Sequence, residues 1–344
     1  MTEPDSRYDV IIIGAGAAGL MCAITAGKRG RKVLVIDHAN KVGKKILMSG
    51  GGRCNFTNLD IQPENYLSHN SHFCKSALSR FTQWDFIDLV EKHQIPYHEK
   101  TLGQLFCDHK SSDILNMLIE ECRQAKVSIK TRCQTKTVQW DEQTQHYLLE
   151  TDLREFTAQS VVIATGGLSI PTLGASGFGY DVARQFGLKL YPTRAGLVPF
   201  TLAKKQLEIY KSLSGSSIDV EVRFDDVVFQ EAMLFTHRGL SGPAMLQISS
   251  YWRPGQAITI NLVPGKNVIQ WLKNRQQQRG NAELKSILSE FSSKNISQVF
   301  CEHLLANNGI NNAAMKTFNE KQLQKIEQIL TNWIIVPAGT EGYR

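Results

Sequence analysis

The chain has 344 residues, 42% hydrophobic and 21% charged, the balance of an ordinary globular protein long enough for two or three domains. Its formal net charge is +7, but Lys and Arg are scattered in short clusters such as Lys28-Arg29, Arg31-Lys32 and Lys44-Lys45, so a basic surface serving an anionic cofactor or substrate is preferred to a nucleic-acid footprint. No apolar run reaches the ~20 residues that span a bilayer, the early run Val10 to Ala15 does not make a signal peptide, and seven scattered cysteines without a C-x-x-C pair point to reduced thiols in a cytoplasmic protein with no metal site.

Tyr8 to Ile13 is predicted as a short, buried, β-branched strand. It runs into Gly14-Ala15-Gly16-Ala17-Ala18-Gly19 and then an apolar helical stretch, Leu20 to Ala26, which Gly30 stops. Lys32 to Ile36 is a second buried strand that ends on Asp37. A G-x-G-x-x-G motif is weak alone, but here it has the strand before, the helix after and the acid at the end of the next strand that dinucleotide binding requires. Gly14 permits the tight turn, Gly16 lets a pyrophosphate approach the backbone N–H groups of Ala15, Ala17 and Ala18 at the helix N-terminus, and Gly19 lets helix and strand pack closely. Asp37 can accept hydrogen bonds from a ribose hydroxyl, and His38 beside it is counted among the cofactor contacts.

Next comes Gly43-Lys44-Lys45-Ile46-Leu47-Met48-Ser49-Gly50-Gly51-Gly52-Arg53-Cys54-Asn55-Phe56-Thr57-Asn58. Successive glycines, Gly51 and Gly52 among them, allow backbone to lie against a large flat or phosphorylated ligand. Lys44, Lys45 and Arg53 supply counter-charge, and Asn55 and Thr57 offer side-chain donors, which favours FAD over NAD; by composition alone a flexible polar loop fits equally well.

Residues 73 to 95 and 113 to 125 are helical in pattern, with Ile114, Met117, Leu118 and Cys122 on one face of the second. Thr131 to Trp140, His146 to Thr151 and Ser160 to Ala164 read as strands, the last ended by Thr165-Gly166-Gly167. After about Tyr191 the pattern changes to antiparallel β: Ile218, Val220, Val222 and Phe224 alternate with polar residues, and Val227 to Phe235 and Ala257 to Leu262 follow. Asn267 to Leu330 is mainly helical, and Trp333 to Val336 returns as a strand.

The string Gly43 to Asn58 resembles the signature of the BaiN/YhiN-type FAD-dependent oxidoreductase family. Further matches lie at Thr101 to Phe106, Ala164 to Ser169, Arg194 to Phe200 and Leu234 to Pro243, so the similarity covers essentially the whole chain and is close to the enterobacterial YhiN branch. The resemblance implies an α/β protein: a Rossmann-type FAD-binding domain of the two-dinucleotide-binding-domain class, with an inserted β-barrel-like domain and a small helical subdomain. On this chain the expected divisions are 1–192 for the FAD domain, 193–266 for the β-rich insertion, 267–331 for the helical part and 332–344 for a return strand toward the FAD domain. The resemblance also implies a backbone contact to the adenine near Thr135 and a return of the chain beside the cofactor at Ala164, Thr165 and Gly166. In the family the chain continues beyond this point with a strand, a turn and a final helix that meet the flavin, so the expectation is that the adenosine half of the site is intact and the flavin half incomplete.

In a flavoenzyme the cofactor carries the redox step, and no Ser-His-Asp or metal constellation is present to suggest otherwise. His237, between Thr236 and Arg238, is the candidate proton donor, weighed against a His that satisfies local backbone groups. Arg53 beside Cys54 raises the prospect of a lowered thiol pKa. Gly174, Gly177 and Gly179 have the wrong spacing for a second dinucleotide motif, so NAD(P)H is expected only as a transient electron donor. The expected activity is hydride transfer from NAD(P)H through FAD to a small organic substrate, with a conjugated ketone suggested by one family branch. The alternatives are a nucleic-acid-associated flavoprotein, such as a tRNA-modifying factor, and a truncated, non-catalytic FAD-binding fragment. The sequence sets no oligomeric state.

Overall fold

The computed structural model describes residues 6–343, which divide into two compact units at Tyr191/Pro192. In chain order the first unit contains β1 Arg7–Ile13, α1 Ala17–Lys28, β2 Val33–Ile36, α2 Lys44–Met48, β3 Asn55–Asn58, α3 Lys75–Arg80, α4 Gln83–Lys92, β4 Tyr97–Glu99 and β5 Gln104–Cys107. It continues with α5 Ser112–Gln124, β6 Ser128–Lys130, β7 Thr135–Asp141, β8 His146–Thr151, β9 Glu155–Ile163 and α6 Phe178–Gln185.

Its main sheet has the order β6-β2-β1-β9-β8-β7. The first four strands are parallel and the β7-β8-β9 meander is antiparallel. Ile13 is level with both Ile36 and Ile163, so the carboxyl ends of three adjacent strands finish on one edge, where doubly wound sheets bind their ligands. The residues of β1 and β2 divide between two cores. Ile12, Val33 and Val35 pack with Leu20, Ala23, Met117 and Leu118 of α1 and α5, while Ile11, Ile13, Leu34 and Ile36 join Leu149 and Phe156 on the opposite face. This burial on both faces explains why these strands lack polar alternation.

The helical expectation over 73–95 resolves into two helices. Phe81 is extended, and Thr82 starts α4 with a capping box in which its hydroxyl accepts from the Asp85 N–H and Asp85 reaches back. Residues 131–134, expected as strand, are a turn with Arg132 at φ 51°. β9 begins earlier than expected, at Glu155, because it pairs with both β1 and β8. A small β3-β5-β4 sheet is an addition that no alternation announced. Glu121 of α5 is wholly shielded and binds Lys28 of α1 (2.5 Å), Lys92 of α4 (2.7 Å) and the His93 ring (2.8 Å), tying three helices together.

The second unit contains β10 Phe200–Thr201, α7 Lys204–Tyr210, β11 Ser217–Phe224, β12 Val227–Phe235, β13 Gly239–Ser241, α8 Pro243–Ser249, β14 Ile258–Asn261, α9 Val268–Gln278, α10 Leu284–Leu288, α11 Lys294–Val299, α12 Glu320–Thr331, β15 Trp333–Ile335 and β16 Gly339–Thr340. The strands form one seven-stranded sheet, β15-β14-β11-β12-β13-β10-β16. β11 buries every second residue, and these side chains share a single core with helical residues such as Leu272, Leu288, Phe300 and Ile326.

The segment 332–344, expected as a return strand, contains the two short strands β15 and β16. β15 pairs with β14 and β16 pairs with β10, both inside the second unit's sheet. Trp333 supplies the physical reason: its ring lies 5.4 Å from Tyr210 and 5.5 Å from Phe300, centre to centre, so burying one large aromatic anchors the strand there.

Candidate nucleotide-binding site

The three glycines of the first motif have separate physical roles. Gly14 has φ +113°, and a Cβ on it would lie 2.3 Å from the Ala164 carbonyl oxygen. A Cβ on Gly19 would lie 1.9 Å from the Gly14 carbonyl oxygen, so α1 is seated directly on the turn. Around Gly16, in contrast, a Cβ would meet nothing within 4 Å. Gly16 is the N-cap of α1, offers no side-chain cap, and no acidic residue occupies the first turn. The N–H groups of Ala17, Ala18 and Gly19 therefore have no partner within the helix, and Ala17 and Ala18 are exposed. This uncapped, twelve-residue helix with open space at its positive end fits the diphosphate of a dinucleotide.

The surrounding segments are fixed to this turn by backbone bonds. The Gly14 N–H donates to Ile36 O at 2.8 Å, the Gly43 N–H to Ala15 O at 2.9 Å, and the Ala164 N–H to Ile13 O at 2.8 Å. Asp37 accepts from the Ala15 N–H through Oδ2 (2.7 Å) and from the Ala39 N–H through Oδ1 (2.8 Å). The carboxylate thus braces the glycine turn, a task the motif alone did not reveal, and each oxygen keeps a lone pair for a further donor. Exposed His38 stands beside it, its Nδ1 3.7 Å from Asp37 Oδ1.

Thr135 starts β7 and is nearly buried, with no hydrogen-bond partner for its hydroxyl. The chain leading to it runs along residues 37–39: the Arg132 N–H donates to Ala39 O and the Cys133 N–H to Asp37 O. On the other side, Lys45 Nζ donates to Gly167 O at 3.5 Å, linking α2 to the Ala164-Thr165-Gly166 turn, where Gly166 has φ +77°. Lys44 sits at the start of the same helix. Gly51 and Gly52 both have positive φ and open space where a Cβ would be, and the Gly52 carbonyl holds the loop by accepting from the Ser111 N–H at 2.7 Å. Arg53 is exposed, and its carbonyl accepts from the Cys107 N–H. Asn55 and Thr57 lie on β3, opposite Phe106 and Leu105. Two apolar neighbours escaped notice in the sequence: Met48, 53% exposed at the end of α2, and Ile163, 38% exposed at the end of β9. Each stands where a buried periodicity ends, so no pattern signalled it.

His237 is the one sequence-predicted site residue in the second unit. It is exposed in the β12–β13 turn, which Thr236 closes by exchanging backbone bonds with Gly239. The prospect of an activated Cys54 is corrected. Cys54 is buried, and burial pushes its thiol up from the ordinary value despite Arg53 next to it. Cys107, whose N–H lies 3.4 Å from Cys54 O, is pushed by burial up to about 12. All seven cysteines are free thiols. Among the described residues, no group of three or more His, Cys, Asp or Glu is arranged to hold a metal and no helix is long and apolar enough to cross a membrane.

A family model described as the HI0933-like protein Rossmann domain matches residues 8–222, and one described as the HI0933-like protein barrel and H2TH domain matches residues 194–344. A ribosomal RNA dihydrouridine synthase of Escherichia coli (strain K12) is 50% identical over 339 residues, covering 98% of this chain and 83% of that protein. The protein of the same description from Haemophilus influenzae (strain ATCC 51907 / DSM 11121 / KW20 / Rd) is 43% identical over 344 residues, covering 98% of this chain and 84% of its own. A 3-dehydro-bile acid delta(4,6)-reductase of Clostridium scindens is 27% identical over 252 residues, covering 71% of this chain and 60% of that protein.

Proposed function

This chain belongs to the HI0933-like family of FAD-dependent oxidoreductases, and from that premise we propose that it reduces the C5=C6 double bond of a uridine in ribosomal RNA. The cofactor half of the proposal is carried by the open, uncapped N-terminus of α1 at Gly16. The substrate half is supported by likeness along nearly the whole chain to two proteins described as ribosomal RNA dihydrouridine synthases. The net charge of +7 accords with a polyanionic substrate.

The chemistry unites this reading with the small-molecule expectation. A C=C bond conjugated to a carbonyl accepts hydride at its far carbon and a proton at its near one. In uracil these are C6 and C5, and in a 3-dehydro-bile acid with ring double bonds the acceptor is the analogous enone. The balanced reaction converts uridine, NAD(P)H and a proton to dihydrouridine and NAD(P)+. Bound FAD supplies the hydride relay between nicotinamide and substrate. Gly14 to Gly19 would hold its diphosphate and Asp37 and Thr135 its adenosine. The turns at Gly51-Gly52 and Ala164-Thr165-Gly166 would follow the rest of the cofactor, with Lys44 and Lys45 as counter-charge. We assign His237 the proton-donor role.

The test is anaerobic incubation of the FAD-loaded protein with NADPH or NADH and unmodified ribosomal RNA, followed by mass spectrometry of nucleosides. Appearance of dihydrouridine supports the proposal. Flavin that NAD(P)H bleaches and a steroid enone reoxidises, while ribosomal RNA does not, would instead favour the small-ketone reading.

A further inference from the structure

Away from the dinucleotide turn, the first unit carries a stretch of surface that its core does not explain. Phe73 is 80% exposed, and Tyr66, Leu67, Phe81 and Trp84 are each between 44% and 55% exposed. α3, in the middle of this stretch, buries none of its residues. Isolated exposed apolar side chains need no explanation, but five within nineteen positions along the chain mark a surface built to meet something.

Basic groups are interleaved with these rings. Lys75 and Arg80 lie on α3, and His69 and His72 precede it. Among the described residues neither Lys75 nor Arg80 has a carboxylate within ion-pair distance. Lys28, Lys92, Arg123 and Arg184 of the same unit are all paired. Of the nearby carboxylates, Asp85 is occupied with the Thr82 N–H and hydroxyl, while Glu64 is exposed. The rings also extend beyond the stretch: Tyr191, half exposed, stacks on His69 with centres 4.2 Å apart, and the Lys189 ammonium lies 5.0 Å from the Tyr191 ring centre.

Resting on the RNA reading above, we infer that the Tyr66–Trp84 surface with Tyr191 is a platform on which unpaired bases of the RNA substrate stack. Any base offers a π-face to an exposed aromatic ring, and a cation without a protein partner is free to meet the phosphate beside it. An apolar protein partner would need the rings but would leave Lys75, Arg80 and Lys189 uncompensated. RNA uses both.

The experiment is fluorescence anisotropy with the FAD-loaded full chain and a labelled oligouridylate of about ten nucleotides, the site size of such grooves. Phe73→Ala and Trp84→Ala are each expected to weaken binding about five- to one-hundred-fold with FAD occupancy unchanged. The double variant Lys75→Glu/Arg80→Glu probes the same surface without touching the rings, and should lower the dependence of log affinity on log salt by about one to two. Oligouridylate binding and dihydrouridine formation that persist unchanged in all of these variants overturn the platform and leave the RNA reading standing. A wild-type protein that neither binds the oligonucleotide nor forms dihydrouridine in ribosomal RNA overturns both. A wild-type dimer in sedimentation that Phe73→Ala dissolves assigns the surface to a second copy and also overturns the platform.

Discussion

Alanine at two glycines only three residues apart should have opposite consequences. At Gly16 the backbone is extended, φ −86° and ψ −172°, which alanine adopts freely, and a Cβ there meets nothing within 4 Å. Gly16→Ala should therefore leave the cofactor-free protein intact, or stabilise it by about 0.4–1 kcal/mol through the unfolded chain. The added methyl occupies the space proposed for the diphosphate. An overpacking cost of about 2 kcal/mol converts to a Kd for FAD weakened about thirty-fold. At Gly19 a Cβ would lie 1.9 Å from the Gly14 carbonyl oxygen, in a turn that the Gly14 N–H bond to Ile36 O holds in place. Gly19→Ala should cost about 3 kcal/mol or more, lowering Tm on the order of 10 °C for a unit of this size, with or without cofactor. Thermal melts of the cofactor-free protein and fluorescence titrations with FAD separate the two effects. A Gly16→Ala protein that binds FAD as tightly as the parent would refute the assignment of this helix end to the diphosphate.

Three further outcomes follow from the geometry. Lys28 and Lys92 hold the Glu121 carboxyl down to about 2 from its ordinary 4.5. Because the folded value lies below the unfolded one, the stabilisation is complete above about pH 5 and is lost as the pH falls toward 2. Glu121→Gln should cost about 2 kcal/mol at neutral pH, less than the linkage maximum of about 3–4 because both lysines are more than half exposed. The gap in urea midpoint between variant and parent should close on acidification, and a gap independent of pH would contradict this account. Alkylation with iodoacetamide near pH 8 should leave Cys54 and Cys107 unmodified in the folded protein and modify both after unfolding, because burial raises both thiols. Rapid native modification of either, mapped by peptide mass spectrometry, would mean a thiolate that the burial does not allow. His237→Gln should lower turnover about 10²-fold or more at unchanged FAD affinity. Equal turnover in the variant would withdraw the proton-donor role.

Much of the first unit was legible because its signals are local. A β-branched strand, G-x-G-x-x-G, an apolar helix and an acid at the end of the next strand are each set by backbone sterics and burial over a few residues, so their order along the chain already implied a parallel sheet with its loops on one edge. The same locality shows where reading failed. Thr82 and Asp85 form a capping box that divides one apparent helix, because a polar side chain competes for the backbone within a run whose hydrophobic period continues. β3, β4 and β5 are only three or four residues long, so no alternation of sufficient length marked them.

Tertiary structure alone decided the matters that depend on distant partners. Arg53 suggested an activated Cys54, yet the fold buries that thiol near Cys107, and desolvation outweighs a neighbouring exposed guanidinium. Asp37 was legible as an acid at the end of a strand, but that its two oxygens brace Ala15 and Ala39 depends on where two loops meet. The strand Trp333–Ile335 was legible as a strand, while its place beside β14 was settled by the aromatic cluster that buries Trp333. The sequence by itself determined which segments are strands, helices and glycine turns, because those preferences reside in neighbouring residues. Only the tertiary structure determined which thiol is buried, which acid is a brace and which sheet receives the last strands, because desolvation and pairing depend on residues far away in the chain.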